Sequence, residues 1–500
     1  MIYRVVIGSY LAQAYVALIG VVLMPTYLHI MGAPAFGLVG LFLMLQSWVQ
    51  LLDLGISPTL SREMALYKAH VLSAGAALLR LRTLEWLLGC VAVLGMGALV
   101  LGRTWIAQDW LHLDSMSVAA VARILAVMAV AAGLRWIASM YRAGLVGLER
   151  QTLVNTLGVL FATLRYVGVL VWIPVLREWP IIFFVHQLAV GALEVVTYSA
   201  LIRRILPAEP GVRRFSMQLF RELAPMAGAM ALLGGIWIVI TQFDKLVLSH
   251  VLTLAGYGYF SVAVLAAAGV LMLMPPLNQV LQPRMTILAA QGRDEALMHL
   301  YRLATQLLVA VVAAVGASMA WLPRQILFAW SGNSVLAAAA APILEWYAPA
   351  YACAALLTLP FLLQFAKGSL RLHVWGNLLL MFILLPVLML TAERWGAVGT
   401  GATLCVTYGA FLLLWVTVIH RRFLRGHAIG WLLEDVAPVA GIAIVITRVV
   451  AALAPTDAGR LSCAVLVAFA ASTGALAGLL GGSLSRKVLL SLAGRRAWTP

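Results

Sequence analysis

Residues 374–392 read VWGNLLLMFILLPVLMLTA, and residues 397–419 read AVGTGATLCVTYGAFLLLWVTVI. The polar segment ERWG, at positions 393–396, separates these two apolar runs. An α-helix rises about 1.5 Å per residue, so about 20 apolar residues cross the roughly 30 Å hydrocarbon core of a bilayer. Each run is therefore predicted to form one transmembrane helix.

Similar apolar runs cover almost the whole chain of 500 residues, of which 63% are hydrophobic and 10% charged. We expect an all-α polytopic membrane protein with about fourteen transmembrane helices and no large soluble domain. The predicted spans are Ile7–Met31, Phe36–Ile56, Leu84–Leu101, Ser117–Tyr141, Leu153–Leu176, Ile181–Ile202, Leu223–Phe243, Tyr259–Leu281, Leu303–Leu322, Ile343–Ala366, Val374–Ala392, Ala397–Ile419, Val436–Leu453 and Leu461–Leu480.

Basic residues alternate between the loops of this arrangement. Of the 34 Lys and Arg residues, 24 fall on the side of the two termini, 6 on the opposite side and 4 inside spans. Because basic loops resist translocation, both termini and loop 203–222 are predicted to be cytoplasmic. The net charge of +16 follows from this topology. It indicates contact with membrane lipids at the inner rim, and no nucleic-acid partner is expected.

The chain repeats itself at an offset of 221 residues. The segment LHIMGAPAFG, ending at Gly37, corresponds to SHVLTLAGYG, ending at Gly258. Six spans per repeat give both halves the same orientation, so they should be related by an axis along the membrane normal, as in transporters that rock about a central cleft. The predicted domains are two pseudo-symmetric six-helix bundles, residues 1–205 and 206–425, and two extra C-terminal helices with a basic tail, residues 426–500.

Four segments carry a family likeness. They are PTYLHIMGAPAFGLVGLF (25–42), LLDLGISPTLSREMA (51–65), GLERQTLVNTLGVLFATLRYVGVL (147–170) and FDKLVLSHVLTLAGYGYFSVA (243–263). In order and spacing they resemble segments of bacterial polysaccharide flippases, which belong to the multidrug/oligosaccharidyl-lipid/polysaccharide superfamily. The likeness extends over roughly residues 1–420.

The resemblance implies a transporter that moves an undecaprenyl-diphosphate-linked oligosaccharide from the cytoplasmic to the periplasmic leaflet of the bacterial inner membrane. The glycan would serve cell-surface polysaccharide synthesis, as O-antigen of lipopolysaccharide, capsule or exopolysaccharide. No covalent chemistry and no cofactor are implied. The implied partners are the lipid-linked glycan, membrane lipids, and the polysaccharide polymerase and chain-length regulator proteins.

Arginines inside spans are the first candidate site residues, because a charge at the bilayer centre costs about 3 kcal/mol on insertion scales. Arg165 lies twelve residues into its span, so it would either bind the diphosphate or acidic sugars or pair with Glu194 on the next helix. Arg123 and Arg135 flank the middle of the fourth span and are weaker candidates, since their side chains could also reach the membrane surface. Arg142 shares a face with Arg135 and could extend a basic track toward the cytoplasm.

A polar stripe runs along the second span. Gln46, Gln50, Asp53 and Ser57 follow one another at intervals of four, three and four residues, and thus share one helix face. Gln46 and Gln50 are predicted to face the cleft and bind substrate. Asp53 is either an ion-coupling residue or the partner of a loop cation such as Arg62.

Three further titratable groups are candidates for ion coupling. Glu194 is the deepest carboxylate, eight residues from the inner end of its span, and His186 lies on the same span. Either could instead serve a helix-locking hydrogen bond or ion pair. Asp244 adjoins Lys245 at the outer end of the seventh span, where a neutralised boundary pair is the simpler explanation.

Three alternative functions remain open. A membrane-embedded glycan polymerase or ligase would need a large periplasmic loop, whereas the longest predicted external loops are 102–116 and 323–342. A cation-coupled multidrug exporter generally has an acidic residue in its first span, and Ile7–Met31 contains none. A peptidoglycan-precursor flippase would have a cationic cluster in that span, which is also not evident.

Overall fold

A computed structural model describes residues 2–53, 55–113, 116–176, 178–206, 215–423, 430–454 and 459–496. Residues 207–214 of the loop predicted to face the cytoplasm lie outside these ranges, as do four of the basic residues counted for the topology, Arg177, Arg213, Arg214 and Arg425. Over the described residues the chain folds into helices without a strand, and His112 and Thr253 form an isolated β-bridge.

Packing contacts divide the chain into two compact units, Met1–Gly258 and Tyr259–Pro500. The helices of the first unit are α1 Ile2–Met31, α2 Ala33–Leu51, α3 Ile56–Lys68, α4 Ala74–Trp105, α5 Val118–Gly147, α6 Gln151–Tyr166, α7 Ile173–Leu176, α8 Ile181–Ile205 and α9 Met217–Val251. Helix α10, Leu254–Ala268, contains the division point. The helices of the second unit are α11 Met274–Ala290, α12 Asp294–Trp321, α13 Pro323–Ser331, α14 Ser334–Leu356, α15 Thr358–Ala366, α16 Arg371–Phe423, α17 Ala437–Ala452, α18 Arg460–Gly481 and α19 Ser483–Arg496.

The division point lies later in the chain than the repeat boundary predicted at 205. Helix α9 packs against α2, α3 and α4, and therefore belongs to the first unit by its contacts. A division by contacts and a division by sequence repeat measure different properties. The predicted domain boundaries at 205 and 425 describe the repeat, and they stay predictions.

Twelve helices of the described chain are long and apolar enough to cross a membrane. One of them, α16, has 53 residues, which correspond to about 80 Å of helix and more than twice the bilayer core. It contains a kink at Gly396, with φ 57° and ψ −143°, and so provides both spans of the 374–419 stretch. Helix α9, with 35 residues, holds the span predicted over 223–243 and is not among the twelve. Together these helices bring the number of spans to about fourteen.

Helix α5 is the centre of the first unit, where it packs against α2, α3, α4 and α8. Its buried face is rich in alanine and glycine, which allow neighbouring helices to approach closely. A Cβ at Gly147 would overlap the Ser61 carbonyl of α3, and one at Gly144 would lie 2.7 Å from Ile202 of α8. Small residues on α5 thus bring the polar faces of α5 and its neighbours close together.

Helix α12 is the centre of the second unit and packs against α14, α17 and α18. A buried polar network joins it to the C-terminal helices. Asp435, which is fully buried, accepts hydrogen bonds from Arg302 Nε at 2.7 Å and from Gln306 Nε2 at 2.6 Å. The Gln306 Oε1 atom in turn accepts hydrogen bonds from the backbone N–H groups of Leu484 and Ser485 in the first turn of α19. The two extra C-terminal spans are therefore integral to this unit.

Candidate functional site

A cavity of about 510 Å³ lies in the first unit and is lined by residues of α1, α2, α5, α6 and α8. Its wall combines arginines and one carboxylate with amides, hydroxyls and small apolar side chains. The polar lining residues are Gln13, Gln46, Gln50, Arg135, Ser139, Arg142, Gln151, Asn155, Arg165, Glu194 and Tyr198. Three cationic groups and one anionic group give this cavity a net positive charge.

Helical periodicity aligns these residues toward the cavity. On α6 the lining positions are 151, 155, 158, 162 and 165, a spacing of alternately four and three residues that defines one helix face. On α5 the positions 132, 135, 139, 142 and 146 follow the same rule. Two stripes from adjacent helices thus converge on one space, and each carries arginine in a setting of small or polar side chains.

Arg165 and Glu194 form an ion pair at the cavity wall. Arg165 Nη2 lies 2.7 Å from Glu194 Oε1, and the two side chains are 7% and 11% exposed. The Nη2 contact lies outside hydrogen-bond geometry, and the buried Nε of Arg165 has no hydrogen-bond partner among the described residues. The pairing expected between α6 and α8 is present, and it leaves donor capacity on the guanidinium unused.

Arg135 is the second arginine of the wall. Its Nη1 atom donates a hydrogen bond to Gln46 Oε1 on α2, which is a neutral acceptor and leaves the positive charge of Arg135 in place. The Nε2 atom of Gln46 is buried and has no partner within the described part of the chain. Arg142, two helical turns further along α5, is exposed at one end of the cavity. The basic track predicted from Arg135 to Arg142 therefore lines this cavity.

Arg123 does not line this cavity. Its side chain is exposed, and its Nε donates a long hydrogen bond of 3.4 Å to the carbonyl of Ala119 in its own helix. Arg123 and Arg135 are twelve residues apart, which turns them about 120° from each other around the helix. Arg135 lines this cavity and Arg123 does not, so the placement of Arg123 does not support its predicted substrate contact there.

Asp53 serves the start of α3. It accepts hydrogen bonds from the Ser57 N–H at 3.0 Å, from the Ser57 hydroxyl at 2.7 Å and from the Trp136 Nε1–H at 3.0 Å. The alternative of a pair with Arg62 is not formed, because Arg62 binds Glu63 at 2.9 Å. The polar stripe of the second span therefore divides: its first two members line the cavity, and its last two hold the α2–α3 junction.

His186 and Asp244 also lie apart from the cavity wall. The Nε2 of His186 is 2.8 Å from the Leu164 carbonyl oxygen, and Trp172 Nε1 donates to its Nδ1 at 3.3 Å. Both contacts fit a neutral imidazole protonated on Nε2. Asp244 is buried and pairs with Lys245 at 3.2 Å, as expected for a boundary pair. These positions favour structural roles over ion coupling.

Several cavity residues were not among the candidates from sequence. Gln151, Asn155 and Ser139 line the wall together with Tyr198. The signal that could have found them is the helical face of the two arginines, because alternating steps of three and four residues back from Arg165 reach Asn155 and then Gln151. No group of three or more His, Cys, Asp or Glu residues able to hold a metal ion occurs in the described ranges.

No protein-family model matches the chain, and no curated protein matches it significantly. Solved structures share its fold. A structure of "Lipid II flippase MurJ, inward closed conformation" matches 98% of this chain and 100% of its own, with a TM-score of 0.70 and 10% sequence identity. The inward-facing conformation of a multidrug resistance MATE family transporter of the MOP superfamily matches 82% of this chain and 95% of its own, with a TM-score of 0.63 and 13% identity. At such identities the likeness is one of fold.

Proposed function

We propose that this protein is a flippase that moves an undecaprenyl-diphosphate-linked oligosaccharide from the cytoplasmic to the periplasmic leaflet by alternating access. The observation that carries the proposal is the net positive cavity of the first unit, with a buried arginine whose donors are not all used. Guanidinium groups remain charged and bind phosphate through two parallel hydrogen bonds. A cavity with this lining favours an anionic substrate headgroup over a cationic drug.

The shared fold supports a transporter rather than an enzyme, because both similar structures are named as a flippase or a transporter. It does not distinguish among the substrates of such proteins. A peptidoglycan-precursor flippase is the second candidate, since the fold is also that of a lipid II flippase. A cation-coupled multidrug exporter is the third, and it is disfavoured by the three cavity arginines.

Several finer features belong to the same proposal. The protein would reside in the bacterial inner membrane with both termini in the cytoplasm, as the distribution of Lys and Arg predicts. The two six-helix repeats would rock about a central cleft. The glycan would be delivered to a polysaccharide polymerase and its chain-length regulator.

The test is transport by the purified full-length protein in proteoliposomes. Three fluorescent substrates are compared: a lipid-linked O-unit, a lipid-linked peptidoglycan precursor and a cationic dye. We expect the lipid-linked O-unit to change leaflet, as measured by its accessibility to an impermeant quencher, while the dye is not moved. Movement of the peptidoglycan precursor alone would identify the second candidate, and movement of the dye alone would identify the third.

A further inference from the structure

Glu194 lies against the guanidinium of Arg165 in the cavity wall. Its Oε1 lies 2.7 Å from Arg165 Nη2, and both side chains are about nine-tenths buried while still lining the cavity. A carboxylate at this distance occupies the place that a phosphate oxygen of a ligand would take on the same guanidinium. A diphosphate oxygen that binds Arg165 Nη2 therefore competes with Glu194 for this group.

Within the described cavity wall, the Arg165–Glu194 pair is the one place where an arginine charge is neutralised by a carboxylate. Glu194 is the single acidic residue among the described lining residues. Arg135 is hydrogen-bonded to the amide oxygen of Gln46, and Arg142 is exposed. Displacing Glu194 from Arg165 would thus present three arginine charges to a ligand in place of two.

Some buried donors in the wall make no hydrogen bond to the described residues. They are Nε of Arg165 and Nε2 of Gln46, and Nη2 of Arg165, which contacts Glu194 outside hydrogen-bond geometry, is a third. An unsatisfied buried donor costs about 1–3 kcal/mol, more when the group is charged, so such donors mark a place where a ligand supplies acceptors. The oxygens of a diphosphate are acceptors of this kind, and Glu194 in its present position does not satisfy Arg165 Nε.

We infer that Glu194 is an internal counter-anion, which holds Arg165 while the cavity is empty and competes with the diphosphate of the substrate for the guanidinium. The inference rests on the proposed function, since it takes the substrate headgroup to be a diphosphate. Competition by a tethered carboxylate lowers affinity, which favours release of the headgroup after translocation. Removing the carboxylate charge should therefore strengthen binding of the anion.

The experiment measures binding of inorganic pyrophosphate to the full-length protein in nanodiscs, by calorimetry and by thermal shift. Glu194→Gln should bind pyrophosphate about tenfold more tightly than the parent. Glu149→Gln is the matched control, because it changes net charge equally at an exposed position outside the cavity, and it should bind like the parent. The double change Arg165→Gln with Glu194→Gln keeps the pair neutral, and binding should be lost.

The outcomes separate the inference from the proposed function. If Glu194→Gln binds pyrophosphate no more tightly than the parent, and the double variant does not bind it, Glu194 does not compete with the ligand. The anion site at Arg165 would then still stand. Binding in none of the proteins, including a folded Glu194→Gln, would overturn the diphosphate site itself. An equal gain in pyrophosphate affinity in Glu149→Gln would mean that the effect comes from net charge alone and would overturn the inference. A gain seen with glucuronate but not with pyrophosphate would contradict the assignment to a diphosphate.

Discussion

Gly37 and Gly258 meet where α2 crosses the first turn of α10, and a Cβ on either glycine would overlap a carbonyl oxygen of the opposite helix. The oxygen facing Gly37 belongs to Leu254, four residues before Gly258. The oxygen facing Gly258 belongs to Ala33, four residues before Gly37. The repeat offset of 221 relates both pairs, so the contact is reciprocal, as at a local two-fold axis. The two six-helix bundles that the sequence repeat predicts stay a prediction.

Alanine at either of these glycines should destabilise the protein, because the added Cβ forces the two helix backbones apart. We expect Gly37→Ala and Gly258→Ala each to cost about 1–3 kcal/mol, as overpacking does elsewhere. Thermal unfolding of the purified protein in detergent measures the change. Gly89 in α4 has open space where its Cβ would lie, so Gly89→Ala should be neutral or slightly stabilising. A destabilised Gly89→Ala would mean that helix context, not the crossing, determines the cost.

Arg165 should be required for transport itself. Arg165→Ala is expected to abolish glycan export while protein abundance stays normal, and Arg165→Lys should partly restore export because it keeps the charge without the planar fork. Export by a strain that depends on this gene measures the effect. Recovery of export when Glu194→Gln is combined with Arg165→Ala would instead indicate a purely structural ion pair.

Glu194 is also the residue expected to couple transport to a proton gradient. A carboxylate released from Arg165 by substrate can bind a proton in one state and release it in the other. Substrate-driven proton flux should appear in proteoliposomes and vanish in Glu194→Gln. Undiminished flux in that variant would exclude Glu194 as the carrier. Absence of flux in the parent would favour a bias supplied by removal of the product.

The adjacent acids Glu434 and Asp435 offer a matched pair for testing the C-terminal network. Both bind Arg302 at 2.7 Å, but Glu434 is 61% exposed whereas Asp435 is fully buried. Asp435→Ala should cost about 3–5 kcal/mol, because it leaves Arg302 and Gln306 without their shared acceptor. Glu434→Ala should cost no more than about 1 kcal/mol. Equal thermal unfolding of the two variants would contradict the importance of burial here.

The cytoplasmic orientation can be tested at Ser216, the residue that caps α9. In a cysteine-free background, Ser216→Cys should resist an impermeant thiol reagent in intact cells and react after permeabilisation. The reason is the excess of Lys and Arg on that side of the predicted membrane. Strong labelling in intact cells would reverse the predicted topology.

The helices were predictable from the sequence because long apolar runs leave few alternatives in a membrane. The breaks within them were less so: the second span ends at Leu51, before a left-handed Gly55, rather than at Ile56. Among the cavity residues, Arg135 and Arg165 could be predicted from the sequence, because a charge inside a span is costly and therefore indicates a polar environment. The Trp136 partner of Asp53 and the Leu164 partner of His186 could not be read from the sequence, since each comes from another helix.

The hydrogen bonds of Gln306 also constrain the order in which the second unit can be assembled. Its partners Asp435 and Ser485 follow it by 129 and 179 residues. During synthesis, which adds about 5–20 residues per second, α12 enters the membrane many seconds before its polar side chains can be satisfied. A chain that stops before residue 484 therefore leaves Gln306 Oε1 without the two backbone N–H groups whose hydrogen bonds it accepts. The final packing of α12 therefore depends on residues that are synthesised much later, in the first turn of α19.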